Sequence, residues 1–212
     1  MKKLLFLLII VTPLLFSCKS EPGTIQGTVT YFFNDHQGYK PDIGADVYIT
    51  TLACDSLRYA LSAASSKKIL DDNSSLEERY KALLEDENFT LSDDKREEFS
   101  KMVESLEESG KPFAEELKEL SDSYGGYENL MNGGKNQLFA IKYDLENTTS
   151  KAAVDGIGNY TATIPAGTYN VIIISKGRRS SNDMESIGCI NVKQVTIKSK
   201  ETTSHNVQFN LR

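Results

Sequence analysis

Tryptophan is absent from this chain, and its 212 residues include only two histidines and three cysteines. Each scarcity removes a class of function. Catalytic zinc takes about three protein ligands, and neither His36 nor His205 stands in an H-x-x-E or H-E-x-x-H pattern. No G-x-S-x-G elbow offers a serine nucleophile. No catalytic residue, metal ligand or cofactor motif is expected, and the chain reads as non-enzymatic. A basic surplus is missing too: 24 Lys and Arg face 30 Asp and Glu, a net charge of -6 and a pI of about 5.1. Nucleic acid is therefore excluded as a partner class. The acid is concentrated between Asp71 and Asp122.

A long hydrophobic run occurs once, at the start. Lys2 and Lys3 precede an apolar stretch from Leu4 to Phe16, closed by Ser17 and Cys18. That is a charged n-region, an h-region and a small-residue cleavage site. The run is short for a helix crossing about 30 Å of hydrocarbon. It resembles the lipobox signal of bacterial lipoproteins. The resemblance implies a signal peptide at 1–17, a lipid (palmitate among its acyl chains) on Cys18, and a short tether over 18–22. Lys19 after the cysteine, with no Asp there, resembles sorting to the outer membrane. The expected location is the cell envelope, with the membrane reached through the Cys18 lipid. Cys54 and Cys189 remain. In an oxidising compartment they form a candidate disulfide, the alternative being two separate buried thiols.

Two grammars alternate in the mature chain. Ile25, Gly27, Val29, Tyr31 and Phe33 alternate with Thr24, Gln26, Thr28, Thr30 and Phe32, the period of a half-buried strand. Asn34–Gly44 carries turn residues and reads as a loop. Ala45–Thr50 is a second strand. From Asp55 the period becomes helical. Asp55–Leu70 is one expected helix, with an Ala-rich face. Leu76, Tyr80, Leu83 and Leu84 mark another, opened by a Ser75/Glu78 capping box. Phe99, Met102, Val103 and Leu106 follow Ser92 and two acids suited to a helix N-terminus. Gly110 and Pro112 suggest a break before Phe113, Leu117 and Leu120. Gly125–Gly126 and Gly133–Gly134 read as turns. Gln137–Glu146 suits helix or strand, with helix preferred. Strand grammar returns at Lys151, over Tyr160–Ile164, Thr168–Ser175, Ile187–Ile197 and Thr203–Leu211.

The strand segments resemble the carboxypeptidase regulatory-like domain, a prealbumin-like β-sandwich without catalytic activity. Three stretches carry the likeness: Gly23-Thr-Ile-Gln-Gly27-Thr-Val; Gly38-Tyr-Lys-Pro41-Asp-Ile-Gly44-Ala-Asp-Val47; and Val154-Asp-Gly-Ile-Gly158-Asn-Tyr160 with Ile164-Pro-Ala-Gly-Thr-Tyr169. Ile157 departs from the polar residue usual at that turn, which lowers the expectation of a cation there. The resemblance implies an α+β protein. An antiparallel sandwich of about seven strands is built from 23–53 and 151–212. A long α-helical insertion, 54–150, falls between its second and third strands.

Several clusters invite functional and plain readings together. Tyr124 and Tyr127, with Tyr143, could stack on sugars or finish a seam between helices and sheet. Lys176, Arg178 and Arg179 could meet acidic headgroups or glycans, or tip a solvated hairpin. Asp55-Ser56-Leu57 is similar to a three-residue O-glycosylation signal and equally suits a helix start. Asp71–Ser75 lacks the Gly and Glu of a calcium loop and is expected to be a turn. His36 is expected on an exposed loop and His205 on a strand near the surface. The favoured expectation is a lipoprotein that displays a module for an envelope protein or a peptide partner. A glycan-binding accessory of a nutrient-uptake system is the alternative.

Overall fold

The computed structural model describes residues 21–86, 92–144, 149–177 and 189–210. Its element order is β1 (Gly23–Asn34), β2 (Gly38–Pro41), β3 (Asp46–Thr50), α1 (Asp55–Glu85), α2 (Asp93–Ser123), α3 (Tyr127–Tyr143), β4 (Thr149–Ala153), β5 (Asn159–Ile164), β6 (Gly167–Ile174), β7 (Ile190–Ile197), β8 (Thr202–Ser204) and β9 (Val207–Phe209). The molecule is α+β, with nine strands among the described residues where about seven are expected. The additions are short. β2 folds back on β1 inside the stretch read as a loop, and the C-terminal segment divides into β8 and β9 at His205 and Asn206. The helices therefore lie between β3 and β4.

Two sheets face each other. In the five-stranded sheet β1 is central. One of its edges takes β5 and then β2, both antiparallel; the other takes β8 and then β9, both parallel. The four-stranded sheet runs β4-β3-β6-β7, antiparallel throughout. Alternation sends Ile25 and Val29 of β1 inward to meet Val47, Ile49, Val171, Ile173 and Ile197, all at or near zero exposure. Residues from both sides of the helical block thus share one interior.

The helices cover the other face of the four-stranded sheet. Tyr48, Ile172 and Ile174 meet Leu57 of α1 and Leu138 and Ile141 of α3. β3 and β6 are consequently buried on both faces, which explains the near-continuous apolar run Val171–Ile174. The layers run helices, four-stranded sheet, five-stranded sheet. Among the described residues no helix covers the outer face of the five-stranded sheet.

The helical block has fewer breaks than its local signals suggest. α1 is one helix of 31 residues, about 46 Å long at 1.5 Å per residue, so Asp71–Ser75 is helix interior rather than a turn. Ser75 caps nothing. α2 is also continuous over 31 residues and carries Pro112 internally. The reason is the long α1–α2 seam. Gly110 lets α1 approach at Leu70, Asn73 donates to the Leu106 carbonyl, and Tyr80 meets Phe99 at 5.4 Å between ring centres. Burial along that seam outweighs a single proline. Ser92 is the α2 N-cap, with Asp93 and Asp94 in the first turn. Gly133 and Gly134 lie within α3. A β-carbon on Gly134 would stand 2.5 Å from the Ala60 β-carbon and 3.2 Å from the Ser56 carbonyl oxygen, so glycine is what lets α3 cross α1 closely. Gly125 and Gly126 do turn the chain, both at positive φ.

Candidate binding surface

The outward positions of the five-stranded sheet form a grid fixed by register. Thr24 of β1 stands between Thr163 of β5 and Thr202 of β8. Gln26 stands between Thr161 and Ser204. Thr28 faces Asn159, and its amide donates to the Asn206 side-chain oxygen at 2.9 Å. Thr30 lies between Pro41 and Gln208. The grid ends on Phe32 opposite Tyr39, their rings 5.3 Å apart and edge-on, where the Tyr39 hydroxyl donates to Asn210 at 2.5 Å. No position in this grid carries a charge, although charged residues make up 25% of the chain. Apart from Pro41 and the Phe32–Tyr39 pair, its side chains are threonine, serine, asparagine and glutamine, and most are exposed.

A shallow depression of about 730 Å³ lies over the middle of this face, lined by Gln26, Thr28, Asn159, Thr161, Ser204 and Asn206; it runs past β5 to the neighbouring β4, where Lys151, Ala152 and Ala153 join it with Asp155. Those two charges are already engaged. Lys151 pairs with Asp46 at 2.9 Å and lies over the Tyr48 ring. An Asp155 carboxylate oxygen accepts the Ile157 and Asn159 amides at 3.0 and 2.8 Å.

The floor is rigid for a reason visible in the motif Gly23-x-x-x-Gly27. Both glycines point inward, where the chain returning along the β8–β9 edge packs hard against β1. A β-carbon on Gly27 would lie 2.7 Å from the His205 carbonyl carbon and 2.9 Å from the Tyr160 ring; on Gly23 it would lie 2.7 Å from Ile197. Tyr160 passes beneath Gly27, and its hydroxyl donates to the His205 carbonyl at 2.8 Å. Burial pushes the Tyr160 phenol up and the His205 imidazole down, the latter helped by Lys193. His205 is thus buried at 4% exposure and not at the surface, because it is the hinge over which β8 passes into β9. His36 is exposed.

The residues singled out from sequence do not gather at this face. Tyr124 and Tyr127 are half-buried among the helices. The Tyr124 hydroxyl meets that of Ser56 at 3.3 Å and its ring meets Tyr59, while Tyr127 lies near Lys67 with its phenol pushed up by burial. They belong to the helix seam and form no flat sugar platform. Tyr143 is exposed and stacks on Phe139 at 4.3 Å, at the far end of α3. Lys176 follows β6. Its amide and that of Gly177 donate to buried Asp42 at 3.0 and 2.9 Å. Arg178, Arg179 and Cys18 lie outside the described residues.

Cys54 and Cys189 are both buried and no disulfide joins them. Register explains why. Cys54 follows the Thr50–Asn170 end of the sheet, whereas the Cys189 carbonyl accepts the Ser175 amide at the opposite end. Five residues of β6 separate these ends, roughly 16 Å at strand rise, well beyond disulfide reach. Cys54 precedes α1 as its N-cap, and Asp55 in the first turn pairs with Arg58 at 3.3 Å. Among the described residues no three His, Cys, Asp or Glu side chains gather where a metal ion could sit, and no helix is long and apolar enough to cross a membrane.

No family model and no curated protein matches the chain. Two solved structures are similar. One is GBS52, the minor pilin of Streptococcus agalactiae, at 8% identity and a TM-score of 0.33; the likeness covers 90% of this chain, which spans 44% of the pilin's length. The other is a Pseudomonas aeruginosa protein described as a candidate carbohydrate-binding protein, at 11% identity and a TM-score of 0.34, covering 90% of each chain. Likenesses of this strength say nothing about what this chain binds.

Proposed function

We propose that the chain is a lipid-tethered, non-catalytic binding module of the cell envelope, anchored in the outer membrane through Cys18. The observation that carries the binding role is the uncharged outer face of the five-stranded sheet, which no helix covers among the described residues. A sandwich that needed only solubility would place lysine and glutamate there, as exposed sheet faces and edges commonly do. Anchorage rests on the signal at Met1–Cys18 and on the short interval between Cys18 and the first strand. That interval leaves the tether little reach and holds the Gly23 end of β1 near the bilayer. The Phe32–Tyr39 end then points away, roughly 30 Å off at strand rise from Gly23 to Phe32. We read the sandwich as prealbumin-like on the three motif stretches, with Gly23 and Gly27 as points of close chain approach. The helical block, which buries one face of the four-stranded sheet, acts as a scaffold.

Metabolic labelling with an alkyne fatty acid, followed by membrane fractionation, tests the anchor. The full chain takes up label and sediments with outer membrane. Cys18→Ala takes up none and is released. Equal label in both proteins removes the anchor from this reading.

A further inference from the structure

We infer that the uncharged face of the five-stranded sheet binds a neutral glycan chain, laid along β1 from Thr24 toward Tyr39. The inference rests on the binding-module reading and names its ligand class. Three properties of the face select the ligand. First, its hydrogen-bonding groups are hydroxyls and carboxamides, which both donate and accept, as sugar hydroxyls do. Second, the grid contains no cation for a phosphate or uronate and no carboxylate for a basic peptide. Lys151 and Asp155 are held by Asp46 and by backbone amides. Third, the polar rows lead into an aromatic edge. Tyr39 is 44% exposed while its hydroxyl is fixed by Asn210 and its ring packs edge-on with Phe32, so an exposed aromatic is held in place with little ordering cost.

The rows also match an extended ligand. Successive outward positions along β1 lie two residues apart, roughly 6.6 Å, so Thr24 to Phe32 offers repeated contacts over about 26 Å. Each contact is weak and their number supplies the affinity. A folded protein partner would instead need a central apolar anchor, as interfaces generally have. The grid between Thr24 and Thr30 has none.

The test is native affinity electrophoresis of the detergent-solubilised full chain through gels containing soluble starch, xylan, lichenan or galactomannan, with alginate and heparin as acidic counterparts. At least one neutral polysaccharide retards the protein and the acidic ones do not. The double variant Gln26→Ala/Thr161→Ala binds about tenfold more weakly, as expected for losing two hydrogen-bonding side chains. Tyr39→Ala weakens binding and Tyr39→Phe retains it. Phe139→Ala on α3 behaves as wild type. Melting curves of each variant confirm folding. Retardation by no neutral polysaccharide, or undiminished binding by the double variant, overturns the glycan claim. A photo-crosslinker at position 26 separates the two readings. Capture of an envelope protein there, without glycan retardation, sinks the glycan and keeps the binding module. Neither capture nor retardation sinks both.

Discussion

Substituting Gly27 by alanine should cost the sandwich about 3 kcal/mol. Gly27 has no positive φ, so the cost is steric rather than conformational. The added methyl would sit 2.7 Å from the His205 carbonyl carbon and 2.9 Å from the Tyr160 ring, and closer still to the His205 oxygen. Two of those atoms are backbone and cannot swing aside. Overpacking of this kind costs about 1–3 kcal/mol. Displacing the His205 carbonyl also takes the shorter of two partners, at 2.8 Å, from the buried Tyr160 hydroxyl, leaving the His205 Nδ1 at 3.2 Å, and costs about 1 kcal/mol more. Reduced freedom of the unfolded chain returns about 0.4–1 kcal/mol. The midpoint of thermal unfolding should fall by roughly 6–12 °C, given about 2–4 °C per kcal/mol at this chain length. Urea titration should show a lower midpoint with an unchanged slope. Gly156→Ala is the control, because nothing lies within 4 Å of its added carbon, and it should stay within about 0.5 kcal/mol. Equal stability for Gly27→Ala and wild type would refute the close approach of His205 and Tyr160 to β1.

Ile141→Ala, which removes a fully buried anchor between α3 and the four-stranded sheet, should cost about 2–5 kcal/mol and raise amide exchange in α3 before β1. His205 is held neutral by burial, so its contribution is complete above about pH 6.5 and is lost as pH falls below that value, while the unfolded chain takes up the proton. His205→Gln should flatten that acid limb in urea midpoints measured from pH 8 to pH 5; an unaltered limb would place its origin elsewhere. Burial pushes the Cys54 thiol up to about 11, so iodoacetamide at pH 8 should leave it unlabelled until the protein is unfolded. Rapid native labelling would contradict its place beneath α1.

Much of the fold is legible in the residues, and the misses have identifiable causes. The strands announce themselves because alternation along Thr24–Phe33 and Tyr160–Ile164 is a local signal. The helices announce their faces but not their lengths. Ser75 and Pro112 are genuine local stop signals, and only the long seam between α1 and α2 overrides them. Gly133–Gly134 reads as a turn because sequence cannot reveal that Ala60 lies against it. The candidate face is half legible: Thr24, Gln26, Thr28 and Thr30 alternate without charge, and so do Asn206, Gln208 and Asn210. What joins these rows is pairing between segments more than 130 residues apart in the chain, which no local pattern contains. The uncharged outward rows of three separate strands were the signal to follow. Tyr124 and Tyr127, which stand beside glycines in the sequence, complete a helix seam instead.

The most direct measurement follows the side-chain amide signals of Gln26, Asn159, Asn206, Gln208 and Asn210 by nuclear magnetic resonance while a retarding neutral oligosaccharide is titrated in. The account predicts that these five signals shift together, with one dissociation constant, and that Asn129 and Asn73 of the helical block stay fixed. Shifts confined to the helices, with the five sheet signals unmoved at saturation, would contradict it.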